Sequence, residues 1–425
     1  MQVRRVKDSL SRSRKELVDT VYLMLLQGVN QLLPIFVMPY LMMCLGASGY
    51  GYIGFSLSVI QYLVVIVDFG FNLSATKHVA VASGDRHEVS RVFWNVVVAK
   101  SLLVGLTTLV LALLLCFVPT FQTYSKAILA TYPMLAGSAF TFMWFFQGIG
   151  KVRMFSILNT VSKLALLPLI FLFVKSPDDY VLAALLQACV FMSTALFSNI
   201  YIWRKRLVEW VRPEWHLVKA ETKASFPLFL SSASTSVYTQ LIVVVLGFYC
   251  TADVIGKYSS AERIMRAVCF LVYTPLNQVF FPRISMLAVK SASEARVLFL
   301  QVRDIVVLVM VAMGAVIWMS GWWLPSLLGM DYEGLDVYLR VFALVPVAIG
   351  IGGVYGQMGL VAIGNKFTSR RFRDVYFIAA LVALCLMVAL VPTLHAVGAS
   401  IVVVSTEAVV AMLMVYNYKK YLSVC

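Results

Sequence analysis

Eight ionisable side chains sit where this chain is otherwise apolar, and they are the groups whose chemistry needs a reason. Lys100, Lys163, Arg263, Arg266 and Arg340 are cationic, and Asp68, Glu262 and Glu407 are acidic. A charge at mid-bilayer costs about 2.5–3.5 kcal/mol on insertion scales, so each should face a bundle interior or a water-filled cavity. Lys100 lies roughly 12 Å into its apolar run at 1.5 Å per residue, and Lys163 has a similar depth. The balance of bases over acids makes the interior net cationic, a place suited to an anion. We expect Lys100 and Arg263 to face a cavity, with Arg266, Lys163 and Arg340 as further substrate-binding candidates. Competing readings are simple: Arg340 snorkels to the outer headgroups, and Glu262 neutralises Arg266 four residues on. Asp68 either forms a structural ion pair with a neighbouring base or carries a proton or Na⁺; Glu262 and Glu407 are the other ion-coupling candidates.

Uncharged polar groups extend the pattern. Gln27, Asn30 and Gln31 share a face of the first apolar run, and Gln61 shares one with Asp68 on the second. The seventh run carries Ser231, Ser232, Ser234, Thr235, Ser236, Tyr238, Thr239 and Gln240. Such residues can be packing glue, but their concentration in a few runs predicts that they line the cleft. No catalytic constellation appears. Gly148-Ile149-Gly150-Lys151 resembles the end of a phosphate loop, yet Phe145 stands where the pattern needs Gly and Val152 where it needs Ser or Thr. H-E-x-x-H and G-x-S-x-G are absent, and seven cysteines without a C-x-x-C pair give neither a zinc site nor a disulfide framework. We expect no cofactor and no metal.

The elements that must position these groups are membrane spans. Sixty-one per cent of the 425 residues are hydrophobic and mean hydropathy is +0.87, which excludes an ordinary soluble domain. A net charge of +15 invites nucleic acid, but the bases lie in the gaps between apolar runs, so no nucleic-acid partner is expected. The runs predict spans near residues 17–42, 50–72, 92–118, 125–148, 155–175 and 179–203, then 225–249, 258–287, 297–320, 335–362, 374–392 and 396–418. The basic start, from Arg4 to Lys15, is read as the cytoplasmic flank of a retained first span rather than a cleaved signal. With both termini and alternate loops inside, about 27 of the 35 Lys/Arg fall on the cytoplasmic side and only Lys126, Lys175 and Lys257 opposite. One missed span would invert every later loop, so this bias supports twelve. Trp94, Trp144 and Trp203 are expected at inner boundaries and Trp318, Trp322 and Trp323 at an outer one.

Residues 204–224 form a basic connector between an N-lobe, 1–203, and a C-lobe, 225–425. Trp203, Leu207, Trp210 and Val211 share one helical face, which predicts a short amphipathic helix in the headgroup region, ended by Pro213. The lobes echo one another: Leu45-Gly46 and Gly51-Tyr52 return as Leu246-Gly247 and Gly256-Lys257-Tyr258. An internal duplication of six spans implies a cleft on the pseudo-axis. Pro34 and Pro39 should bend the first span, and Pro275 and Pro282 the eighth.

Several stretches together resemble one family. They are Gln27 to Tyr40 (QGVNQLLPIFVMPY), Asp68 to Thr76 (DFGFNLSAT), Phe93-Trp94 through Lys100, Trp144 to Gly148 (WFFQG), Gly256 to Arg266 (GKYSSAERIMR) and Phe281 to Ser285 (FPRIS). The chain is similar to the O-antigen flippases, polysaccharide transporters of the multidrug/oligosaccharidyl-lipid/polysaccharide exporter superfamily. That resemblance implies an all-α integral membrane fold of the MATE type, with twelve helices in two six-helix lobes around a central cavity. It also implies alternating access and a substrate: an oligosaccharide on undecaprenyl diphosphate, moved from the cytoplasmic to the periplasmic leaflet of a bacterial inner membrane. Membrane lipid, an O-antigen polymerase and a chain-length regulator are the partners it suggests. Two alternatives remain open from sequence: a multidrug exporter of the same superfamily, and a membrane-embedded polymerase or glycosyltransferase.

Overall fold

The structure is a computed structural model that describes the backbone of residues 2–422 and the side chains from residue 33 onward, residue 366 and residues 423–425 excepted. Gln27, Asn30 and Gln31 lie outside the described side chains. Among the described residues there is no strand. The long helices are α1 (Gln2–Asp68), α2 (Phe71–Val81), α3 (Arg86–Phe117), α4 (Ser125–Gly148), α5 (Val152–Phe173) and α6 (Pro177–Arg204). After the connector come α7 (Trp215–Leu246), α8 (Ala252–Lys290), α9 (Ala292–Ser320), α10 (Leu335–Ile363) and α11 (Lys366–Leu422). Helices are the natural answer in hydrocarbon, where backbone N–H and C=O groups find no water and must pair within the segment.

Among the described residues ten stretches are long and apolar enough to cross a membrane, and two of them, Leu33–Val81 and Phe367–Leu422, run to 49 and 56 residues. Rods of that length would measure about 70–85 Å, more than twice a hydrocarbon core of ~30 Å. The first is broken at Gly46 (φ 63°) and again at Phe69–Gly70 (φ 43° and 81°), where α1 gives way to α2, and the second at His395 (φ 51°) in α11. The breaks at Gly46 and His395 each divide a stretch into two spans, so the ten stretches supply twelve. Gly46 takes a left-handed conformation that a side chain resists, and an added Cβ would lie 2.4 Å from the Asp331 carboxylate. Pro34 and Pro39, by contrast, lie inside continuous helix.

The apolar core explains the shape. One large buried cluster joins both halves around Leu45, Tyr50, Phe55, Leu246, Ile255, Tyr258 and Tyr332, which we call the seal end. At the opposite, connector end the core divides in two. One cluster packs Phe71, Phe93 and Phe145 of the first half against Val208 of the connector and Val218 at the start of α7; the other, around Phe299, Met358 and Met414, belongs to the second half. The halves therefore share one core at the seal end, while at the other end the core is split and α7 stays bonded to the first half through Ser74–Ser225 (2.5 Å) and His78–Glu221 (2.8 Å).

Small residues make the junction. Ala47 and Gly51 on α1 cross Ala252 and Gly256 on α8 so closely that a Cβ on Gly51 would meet the Ala252 carbonyl at 1.8 Å, and one on Gly256 the Ala47 carbonyl at 1.8 Å. This is small-xxx-small packing on both helices. The two echoing segments of the sequence are thus each other's contact surface. Tyr332, from the loop before α10, adds a 3.2 Å hydrogen bond to the Met42 carbonyl.

The connector differs from its sequence reading. No amphipathic helix forms: α6 ends at Arg204, Arg206 takes a positive φ of 47°, and residues 207–214 run without regular structure to α7. Three hydrogen bonds hold this strap to α3: Trp94 Nε1 to the Glu209 carbonyl (2.9 Å), Glu209 N to Ser90 Oγ (3.0 Å) and Glu214 N to Asn95 Oδ1 (3.1 Å). The backbone finds partners on a neighbouring helix, so it does not need its own helical ladder. Trp215, where α7 starts, lies well before the expected beginning of the seventh span. Trp144 is also displaced from the aromatic belt: it is fully buried among Phe93, Phe142 and Phe145, whereas Trp203, Trp318, Trp322 and Trp323 are exposed.

Candidate functional site

A cavity of about 410 Å³ opens between the two halves, on the connector side of the seal. Its polar lining comes from α1 (Tyr50, Gln61), α5 (Lys163), α6 (Gln187) and α8 (Arg263, Arg266). Apolar side chains such as Met38, Leu41, Leu57 and Met134 complete the wall. Among the described residues no carboxylate lines the cavity, and Arg263 and Arg266 bring positive charge to its wall. A second hollow of about 400 Å³ beside it shares Ile35, Arg266 and Ala267 and runs between α1, α8 and α10.

Arg263 is held in a way that leaves its charge available. Its Nη1 donates a 3.2 Å hydrogen bond to the Tyr50 hydroxyl, and its guanidinium carbon sits 5.4 Å from the Tyr50 ring centre. Tyr50 is fully buried at the seal, so it fixes the guanidinium without neutralising it. Among the described residues no carboxylate pairs with Arg263. Arg266, three residues on, reaches the same cavity, but its Nε and Nη2 both lie 2.9 Å from Glu262 Oε1 on the preceding turn. The neutralising reading of that pair is the one the geometry shows. Glu407 on α11 is buried, and Arg266 is the charged neighbour that acts on it.

Lys100 is placed differently. It is 2% exposed, absent from the cavity lining, and its Nζ donates to Asp68 Oδ1 at 2.8 Å. Asn72 donates to the other Asp68 oxygen at 3.2 Å. The lysine thus braces α3 against the end of α1, within the first half. Arg340 also lies outside the cavity, in a half-exposed pair with Asp336 one turn back (3.2 Å). The polar run of the seventh span is spent locally: the hydroxyls of Ser234, Thr235, Ser236 and Thr239 donate to the carbonyls four residues earlier. Gln240 sits in a π-helical turn, Val237–Leu241, and is not among the cavity residues. Of the expected polar set, the cavity brings together Gln61, Lys163, Arg263 and Arg266. Tyr50 and Gln187 carry no signal in the sequence, because a tyrosine or an amide in an apolar run has no signature without its partner.

The comparisons with known proteins agree with this architecture. Residues 17–288 match the model of a family described as polysaccharide biosynthesis protein. A relative from Escherichia coli (strain K12), named "Putative O-antigen transporter", is 27% identical over 397 residues, 93% of this chain and 95% of its own length. One of the same name from Shigella dysenteriae is 29% identical over 404 residues, 94% of this chain and 99% of its own. Among solved structures, an inward-facing multidrug resistance MATE family transporter of the MOP superfamily superposes with a TM-score of 0.69 at 16% identity, over 92% of this chain and 94% of that one. The lipid II flippase MurJ in its inward closed conformation superposes with a TM-score of 0.68 at 14% identity, over 95% and 87%. At those identities the likeness establishes the fold alone. With its family model matching well over half of its length, the chain belongs to the polysaccharide biosynthesis protein family, as a multi-pass helical membrane protein of MATE-like fold.

Proposed function

We propose that this protein is a flippase for undecaprenyl-diphosphate-linked O-antigen units, carrying them by alternating access from the cytoplasmic to the periplasmic leaflet of a bacterial inner membrane. The observation that carries the reading is Arg263: a guanidinium aimed into a cavity between the halves, with a tyrosine for support and, among the described residues, no carboxylate paired with it. Guanidinium groups match phosphate oxygens with two parallel hydrogen bonds, so a diphosphate is the anion that suits such a site. Stripping each sugar hydroxyl of water costs around 2 kcal/mol or more, which makes an unassisted flip prohibitive. A polar cleft removes that cost while the lipid tail stays in the bilayer.

An apolar core shared at the seal end and split at the connector end supports a rocking bundle that exposes the cavity to one side at a time. The Lys/Arg bias supports a cytoplasmic position for both termini and the connector, which would turn the open end to the substrate's leaflet of origin. Two negative charges leaving a negative-inside cytoplasm gain about 4–5 kcal/mol per 100 mV, which helps export. Of the three candidate carboxylates for ion coupling, Asp68 and Glu262 are engaged by Lys100 and Arg266; Glu407, which makes no such direct pair among the described residues, is the remaining carrier. The delivered product is what an O-antigen polymerase with its chain-length regulator would consume.

The test is reconstitution in vesicles with a labelled lipid-linked oligosaccharide. Transfer between leaflets with the number of glycosidic linkages unchanged is expected. Elongation of the glycan would make the protein an enzyme, and export of a cationic dye without glycolipid transfer would make it a drug exporter; either result refutes the flippase.

A further inference from the structure

Away from the central cavity, on the outside of the bundle, a groove of about 680 Å³ runs between α3 and the connector-end half of α7. Its walls are apolar: Leu102 and Leu103 on one side, Phe226 and Pro227 on the other, with Phe69 among them. Lys219 and Lys223 are the charged groups that line it, exposed and one helical turn apart, so both amines lie on one face. Among the described residues neither is paired with a carboxylate. Lys219 Nζ is instead 5.5 Å from the centre of the Trp215 ring, and Glu221 between them is turned to His78, 2.8 Å away. Two unneutralised amines beside an oily slot, next to a tryptophan, make an amphipathic receptor rather than a random exposed patch.

We propose that this groove holds one anionic phospholipid of the surrounding bilayer, its phosphate between Lys219 and Lys223 and an acyl chain along Leu102, Leu103 and Phe226. Charge selects the class. A zwitterionic headgroup would bring its own ammonium against the two lysines, whereas an anionic one brings none. The occupant is distinct from the transported glycolipid, since the groove shares no lining residue with the cavity that holds Arg263. The location gives the lipid something to act on. Phe69 forms part of the groove and also occupies the break between α1 and α2 with φ 43°, while its ring stacks on Phe229 of α7 at 4.5 Å. A chain lying in the slot therefore supports the joint where α7 rests on the first half.

The experiment measures retention of phosphatidylglycerol against phosphatidylcholine by the purified full-length protein, using native mass spectrometry and spin-labelled lipid in nanodiscs. Wild type is expected to enrich phosphatidylglycerol. The Lys219→Ala/Lys223→Ala variant should lose it roughly 10- to 30-fold, at about 1 kcal/mol per lysine. Leu102→Trp, which fills the slot and keeps both charges, should release the lipid as well. Equal retention of the two lipids by wild type, or undiminished phosphatidylglycerol on the lysine variant, overturns the proposal. So does displacement of the bound lipid by undecaprenyl phosphate at equimolar amounts, which would make the groove a substrate site. Binding is read without transport, so the result stands apart from the flippase assay.

Discussion

Lys100 and Arg263 carry the same signal in sequence, a cation inside an apolar span, and they meet different fates. Lys100 is 2% exposed and engaged by Asp68 at 2.8 Å, and an asparagine satisfies the second carboxylate oxygen. Arg263 reaches a cavity, held by a phenol and an aromatic face that leave its charge intact. The difference lies in what else arrives at the site. Where a carboxylate comes within reach, the cation becomes a brace between helices; where only a tyrosine does, it remains able to bind an anion. A buried charge thus marks function only when its neutralising partner is missing.

That contrast can be broken most severely at Asp68. Asp68→Asn leaves Lys100 buried and unpaired, and removing one partner of such a pair costs about 3–5 kcal/mol. The variant should melt well below wild type in detergent, and adding Lys100→Met should recover most of the loss; a double variant as unstable as the single one would show that Lys100 does more than pair. Arg263→Ala is expected to leave melting close to wild type while lowering glycolipid transfer about 10- to 100-fold, the worth of a charged hydrogen bond at about 1.5–3 kcal/mol. Transfer at the wild-type rate would remove Arg263 from the mechanism. Tyr50→Phe keeps the ring against the guanidinium and deletes one hydrogen bond, about 0.5–1.5 kcal/mol, so a drop of no more than about tenfold in transfer is anticipated. Smallest of all should be Arg340→Gln. Its pair with Asp336 is half-exposed, and exposed pairs contribute about 0–1 kcal/mol, so both melting and transfer should stay near wild type.

The seal shows how much of the fold is legible in the chain itself. The echo of Gly51-Tyr52 in Gly256-Lys257-Tyr258 is visible in the chain and suggests duplication. That Gly51 and Gly256 touch one another's helices is a matter of three dimensions. The connector teaches the opposite lesson. Its amphipathic periodicity over two turns predicts a helix, yet hydrogen bonds to Ser90, Trp94 and Asn95 draw it out into a strap. A short periodic signal is outweighed when another element offers the same backbone groups better partners. Span seven follows the same logic, since the hydroxyls of Ser234, Thr235, Ser236 and Thr239 are consumed by their own helix and none of these residues lines the cavity.

Sequence alone determined the spans, their number and the uneven distribution of positive charge between loops, because these follow from transfer energies that each residue carries with it wherever the chain goes. It also determined which residues are too costly to leave in lipid. Only the tertiary structure decided which of those cations was answered by an acid and which was left facing a cavity, because ion pairing falls off within a few ångströms and depends on helices far apart in the chain.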